Sequence, residues 1–212
     1  MFKKYLPILY ILIIVGVFAY AVMTRPEPEI VVTSESVPTI DVGIDFPENY
    51  QDTFVRYLVV DRIDDTVRHI YINPEALLAI EAGDELPYGT QVIIETWDAQ
   101  TDVFGNVRRD SEGHLIESVM HPNLHIMEKQ PDWTIQELPS PVGVIEWNFA
   151  SFDVNTMLPS TENRNDCLTC HDGGAFRRDF VFSRFIIEEY VDNPEAPQYL
   201  FCRLPRRSNC IG

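Results

Sequence analysis

The chain begins with one long apolar block and then changes to short alternating runs. Lys3 and Lys4 precede an uncharged stretch from Tyr5 to Met23. Its 19 residues would extend about 28 Å as a helix, enough to cross the hydrocarbon of a bilayer. Two readings are open. One is a retained anchor; the other is a signal peptide cleaved at Ala19-Tyr20-Ala21. The run is longer than the roughly 7–15 apolar residues of a signal core, which favours the anchor. In both cases the lysines stay on the cytoplasmic side. Residues 1–25 are thus expected to hold the chain in the cell membrane by a single pass, with everything from residue 26 on its periplasmic, extracytoplasmic face.

Residues 26–44, "PEPEIVVTSESVPTIDVGI", are rich in proline, serine and acid and read as an extended tether. Residues 45–212 suit one domain. There "TFVRYLVV" (53–60), "VRHIYI" (67–72), "TQVIIETW" (90–97), "HLIESVM" (114–120) and "GVIEWNFASF" (143–152) are β-branched, aromatic and mostly alternating. Pro87-Tyr88-Gly89, Phe104-Gly105-Asn106 and Pro139-Ser140-Pro141 supply turns between them. One helix is marked by Asn73 as cap, Pro74 in the first turn, "EALLAIEAG" and a stop at Gly83. A second is expected after residue 171. The expected class is α+β: an antiparallel β-sheet with a few helices, preceded by one N-terminal transmembrane helix.

Charge narrows the partners. All 33 acidic residues lie from residue 27 onward, against 13 basic residues from residue 26 onward, a balance of −20 for the exported part. Such a surface repels nucleic acid and anionic headgroups and attracts basic proteins.

The candidate chemistry lies in "NRNDCLTCHDGG", residues 163–174. Cys167 and Cys170 are followed directly by His171. A zinc knuckle needs a second ligand pair; Cys202 and Cys210 are not spaced as one, although His121 and His125 could serve. A thioredoxin-type pair needs a βαβ setting, which the pattern lacks. C-x-x-C-H outside the cytoplasm is the attachment signature of haem c. Two thiols reach the vinyl groups on one porphyrin edge while the adjacent imidazole reaches the iron. On this reading Cys167 and Cys170 form thioethers, His171 is the proximal ligand, and the single motif implies one covalent haem. Cys202 and Cys210, in an oxidising compartment, are read as a disulfide. His114, His121 and His125 form a loose group in sequence that reads as a solvent-exposed hairpin rather than a second metal site. Trp133, Trp147, Phe149, Phe152, Phe180, Phe182 and Phe185 are expected to fill the core or wrap the haem edge.

Six segments carry a family resemblance: "FPENY" (46–50), "VRHIYINPEA" (67–76), "PYGT" (87–90), "IEWNFASFD" (145–153), "CLTCH" (167–171) and "DFVFSRF" (179–185). Over residues 46–187 the chain resembles the cytochrome P-460 and cytochrome c′-beta family. The resemblance implies an exported monohaem c protein built on an antiparallel sheet, and some members are homodimers. The family includes hydroxylamine-oxidising enzymes and nitric oxide-binding proteins. Its enzymes join a lysine to the porphyrin from the strand after the Gly-Thr turn; here that position falls near Ile94. They also carry a glutamate two residues past the motif histidine; here that residue is Gly173, with Asp172 beside it. Arg68 does match, in a position the family uses for polarity in the haem pocket.

Loss of the cross-link leaves ordinary c-type electronics, and loss of the glutamate removes a proton acceptor. The expectation is therefore electron transfer rather than catalysis, with redox partner proteins and a place as a subunit of a larger respiratory or photosynthetic membrane complex. The alternatives are a nitric oxide or small-gas binder and a hydroxylamine or nitrogen-compound oxidoreductase. An electron carrier works best with two strong axial ligands. Outside the anchor the methionines are Met120, Met127 and Met157, so one of these three is the expected sixth ligand, against an open site as the alternative.

Overall fold

The computed structural model describes residues 43–131, 146–160 and 164–202. The apolar N-terminal run, all of the expected tether before Gly43, Trp133, the Pro139-Ser140-Pro141 turn and Cys210 lie outside the described residues. Among the described residues no helix is long and apolar enough to cross a membrane.

In chain order the elements are α1 (Tyr50–Thr53), β1 (Val55–Arg62), β2 (Thr66–Ile72), α2 (Pro74–Glu81), β3 (Gln91–Ala99), β4 (Glu117–Met120), β5 (Asn123–Lys129) and β6 (Trp147–Asp153). They are followed by α3 (Arg164–Ala175), a 3₁₀ turn (Phe176–Arg178), α4 (Arg184–Asp192) and β7 (Gln198–Cys202). The strands form one sheet in the order β6-β5-β3-β2-β1-β7, with β4 also pairing to β3. The class is α+β, but the sheet is mixed rather than purely antiparallel. β7 runs parallel to β1, from Leu58 opposite Gln198 to Arg62 opposite Cys202. A parallel neighbour needs a crossover rather than a tight turn, and here more than a hundred residues intervene between the two strands.

Four other expectations are corrected or refined. The stretch expected to be an exposed hairpin contains β5, which lies between β3 and β6 with Leu124, Ile126 and Met127 buried. The cysteine motif is itself helical, within α3, and α4 is the helix that follows it. Phe185 is exposed, beneath the Arg178 guanidinium at 5.6 Å from its ring centre. Ile44, placed by composition at the end of the tether, is buried in the folded domain.

The local signals are otherwise kept. Gly83, Gly89 and Gly105 end or turn their segments with φ of 83°, 85° and 84°, values that cost glycine nothing. Asn73 occupies the N-cap position of α2, but its side chain makes no cap bond. Its Oδ1 instead accepts from the Gln91 amide at 2.8 Å, tying α2 to the start of β3.

The sheet separates two cores. On one face Leu58, Val60, Ile70, Ile72, Val92, Met127, Trp147 and Phe149 pack with Ile80 of α2, Leu168 and Ala175 of α3, and Ile186, Ile187 and Tyr190 of α4. The buried positions of α4 recur three to four apart, which puts them on one helical face. Each large apolar side chain buried there contributes roughly 1.5–3 kcal/mol. On the other face Ile44, Tyr50, Tyr71, Ile93, Leu124, Ile126 and Phe152 form a second cluster.

Candidate functional site

The alternation of strand side chains decides what meets the motif helix. Arg68 pairs with Thr96, Ile70 with Ile94, and Ile72 with Val92 across β2 and β3. Ile94 pairs with His125 and Val92 with Met127 across β3 and β5, and Met127 with Phe149 across β5 and β6. These residues share the face that α3 approaches. Between sheet and helix lies a cavity of about 200 Å³. The sheet contributes Arg68, Val92, Ile94, His125, Met127 and Phe149 to it. The helix contributes Cys167, Cys170 and His171.

α3 is a weak helix by composition, because Asn, Asp, Thr and two glycines all disfavour the helical state. Its buried Leu168 and Ala175 anchor it to the core. One helical turn places Cys167 and Cys170 on the same side. Neither cysteine is in a disulfide. Among the described residues no three His, Cys, Asp or Glu side chains are arranged to hold a metal ion, which leaves the zinc-knuckle reading without a second ligand set.

His171 is held from three sides. Its Nδ1 lies 2.6 Å from the Phe180 carbonyl, so Nδ1–H donates and Nε2 is the nitrogen left for a metal. Its ring lies 4.9 Å from Phe149 and 4.8 Å from Phe182, centre to centre. Burial pushes its pKa below the ordinary histidine value, with the bond to Phe180 pulling the other way. A neutral imidazole is the form that ligates iron.

The remaining polar groups of the cavity are few. Burial, with Arg62 adding to it, brings the Arg68 guanidinium down to about 10, so it stays charged at neutral pH. Half-buried His125 has Nδ1 2.9 Å from the Ser151 hydroxyl. Among the described residues no carboxylate lines the cavity. Ile94, near which the resemblance puts the cross-linking lysine of the family's enzymes, lines it. Gly173 is exposed with open space beside it, and Asp172 is not among the lining residues.

Of the three methionines, only Met127 reaches the cavity. Met120 is on β4, opposite Trp97. Met157 is 51% exposed, in a turn where its φ is 58°. His125 is the lining residue that sequence reasoning missed. Its pairing with Ile94 could have been found only with the β3–β5 register in hand. His121 turns instead to Asp98 at 2.8 Å, and His114 stacks on Tyr199 at 4.2 Å. Cys202 is buried at the end of β7, and its expected partner lies outside the described residues.

The donor set fits a c-type haem. Two cysteines one turn apart and outside any disulfide, an adjacent imidazole with one nitrogen already committed, and apolar walls all meet at one cavity. A family model described as Cytochrome P460 matches residues 47–183, well over half of the chain. No curated protein matches it.

Proposed function

The chain belongs to the cytochrome P460 family, of c-type haem proteins, and from that premise we propose that it is a membrane-anchored monohaem cytochrome that transfers single electrons on the extracytoplasmic face. Cys167 and Cys170 hold one covalent haem and His171 ligates its iron. The haem supplies a one-electron couple when bound; the chain orients it, keeps water from it and sets its potential. The carrying observation is the composition of the cavity. Besides His171, the described residues offer it two side chains able to ligate iron, Met127 and His125, and no carboxylate to take a proton from a substrate. That balance favours an electron carrier over an oxidising enzyme.

The N-terminal apolar run and the Cys202–Cys210 disulfide enter the proposal from the sequence. A tethered carrier gains effective concentration beside its partner, which suits a subunit of a larger respiratory or photosynthetic membrane complex. The acidic surface suits basic redox partners. The second reading, a nitric oxide or small-gas binder, is favoured by the apolar lining of the cavity.

Visible spectra of the ferrous protein with and without nitric oxide separate the two. Low-spin bands unmoved by the gas are the expected result. Met127→Ala and His125→Ala, made singly, should then identify the sixth ligand, because one of them converts the haem to high spin. A spectrum that is high-spin from the start and shifts with nitric oxide overturns electron transfer in favour of gas binding.

A further inference from the structure

The Phe180 carbonyl that accepts from His171 sits in an unusual piece of backbone. Asp179 and Phe180 are consecutive non-glycine residues with φ of 53° and 59°. That left-handed region is disfavoured for L-residues, and for a bulky phenylalanine more than for aspartate. Such a conformation persists only where its surroundings over-determine it. Local backbone bonds supply part of the restraint: the Phe180 amide donates to the Ala175 carbonyl at 3.0 Å and the Val181 amide to Arg178 at 3.1 Å.

The rest comes from the sheet. The Asp179 carboxylate accepts from Lys129 Nζ at 2.8 Å on one oxygen and from Trp147 Nε1 at 3.2 Å on the other. Lys129 and Trp147 are a cross-strand pair on β5 and β6. Lys129 is 5% exposed and Trp147 fully buried. Lys129 is also the sole lysine after residue 4. A buried ammonium that meets a carboxylate on a strained turn is an expensive arrangement for stability alone, because desolvation offsets most of the attraction.

We propose that Lys129 and Trp147 are positioning residues for the haem, which act through Asp179 to fix the Phe180 carbonyl against the axial histidine. The chain of contacts runs from sheet to carboxylate, from carboxylate to turn, and from turn to imidazole. It holds the ring orientation of His171 and the strength of its Nδ1–H bond, which sets how strongly the imidazole donates to iron. The proposal rests on the reading of Cys167, Cys170 and His171 as the haem site.

The test uses the full, haem-loaded chain with Lys129→Met and Asp179→Asn together, which removes the clamp at constant net charge. Two readouts are taken: the reduction potential, and the solvent exchange of the His171 Nδ1 proton by paramagnetic NMR of the ferric protein. The expected result is a higher potential and exchange faster by on the order of tenfold, the loss of about one hydrogen bond. Trp147→Phe, which removes one bond and keeps the ring, should move both in the same direction by less, and it serves alone if the double variant does not fold. Tyr50→Phe, on the opposite face of the sheet, is the control for general loosening and should move neither. Unchanged potential and exchange in a folded, loaded clamp variant would overturn the positioning role and leave the site reading intact. Absence of covalent haem from the unmutated chain would overturn both.

Discussion

The two faces of the sheet treat polar groups in opposite ways. On the face away from the motif helix, one buried carboxylate is surrounded by donors. Glu95 accepts from Tyr50 Oη at 2.6 Å, Gln51 Nε2 at 2.5 Å, Trp97 Nε1 at 3.0 Å and Tyr71 Oη at 3.2 Å. His69 adds an ion pair at 3.3 Å and reaches on to Glu117 at 2.5 Å. Burial alone would raise the Glu95 carboxyl, but the bonds from His69, Tyr50, Gln51 and Trp97 outweigh it and hold it down at about 2. Burial likewise disfavours charge on His69, yet its bonds to Glu117 and Glu95 prevail and raise it. Both oxygens of Glu95 are used, and the network fastens α1 to the sheet. On the motif face a few polar groups line a largely apolar cavity, and neither cysteine is in a disulfide. A saturated network specifies one structure; an apolar cavity with reactive groups at its edge has room for chemistry the polypeptide does not supply.

The largest effect should come from the motif face. Cys167→Ser with Cys170→Ser should abolish covalent haem, so the polypeptide mass loses one haem by mass spectrometry. The domain's β content by circular dichroism should survive, since neither thiol belongs to the saturated face. Pigment that acidified solvent extracts from the unmutated protein would break the comparison at its root.

Next in size, Glu95→Gln should destabilise the domain by about 3 kcal/mol, because it leaves a buried charged His69 short of its partner. Denaturant unfolding measures this. The haem spectrum should stay as it was, and a changed spectrum would show that the two faces are coupled.

Acid titrates the same network. The folded-state pKa of Glu95, about 2, lies below the ordinary carboxylate value of 4.5. Its contribution is therefore complete above the unfolded value and lost as pH falls from about 4.5 towards 2. His69 has the opposite sign: its raised pKa contributes below the ordinary histidine value and is lost as pH rises through the folded one. Melting temperature against pH should fall steeply on the acid side in the unmutated protein and more gently in Glu95→Gln. Identical profiles would remove Glu95 as the cause.

Smallest is Tyr50→Phe, which removes one donor of several and should cost about 1 kcal/mol in the same unfolding measurement. A cost equal to that of Glu95→Gln would mean that Tyr50, rather than the carboxylate, organises that face.

Much of this arrangement was legible along the chain, and what was not has a common cause. The alternation in "VRHIYI" and "TQVIIETW" marked β2 and β3, and Asn73-Pro74 with Gly83 marked both ends of α2. β5 was hidden because Pro122 and two histidines gave "MHPNLHI" the look of an exposed turn, whereas burial of Leu124 and Ile126 between two neighbours outweighs that local preference. α3 was hidden by its glycines, and forms because Leu168 and Ala175 are buried against the core. β7 is short, follows two prolines, and gains its bonds from a strand at the other end of the domain.

By itself the sequence determined whatever depends on neighbours along the chain: the adjacency of Cys167, Cys170 and His171, the turns at glycine, and the period of the strands. The family match rests on the same local segments. Only the tertiary structure decided which face of each strand the motif would meet. It chose Met127 over Met120 and Met157 as the methionine in the cavity, brought His125 there, and set Asp179 against a lysine fifty positions away. The reason is physical. Local preferences are properties of single residues and their nearest turns, whereas these contacts exist only once strand order and register are set, and those are fixed by the burial of the whole sheet at once.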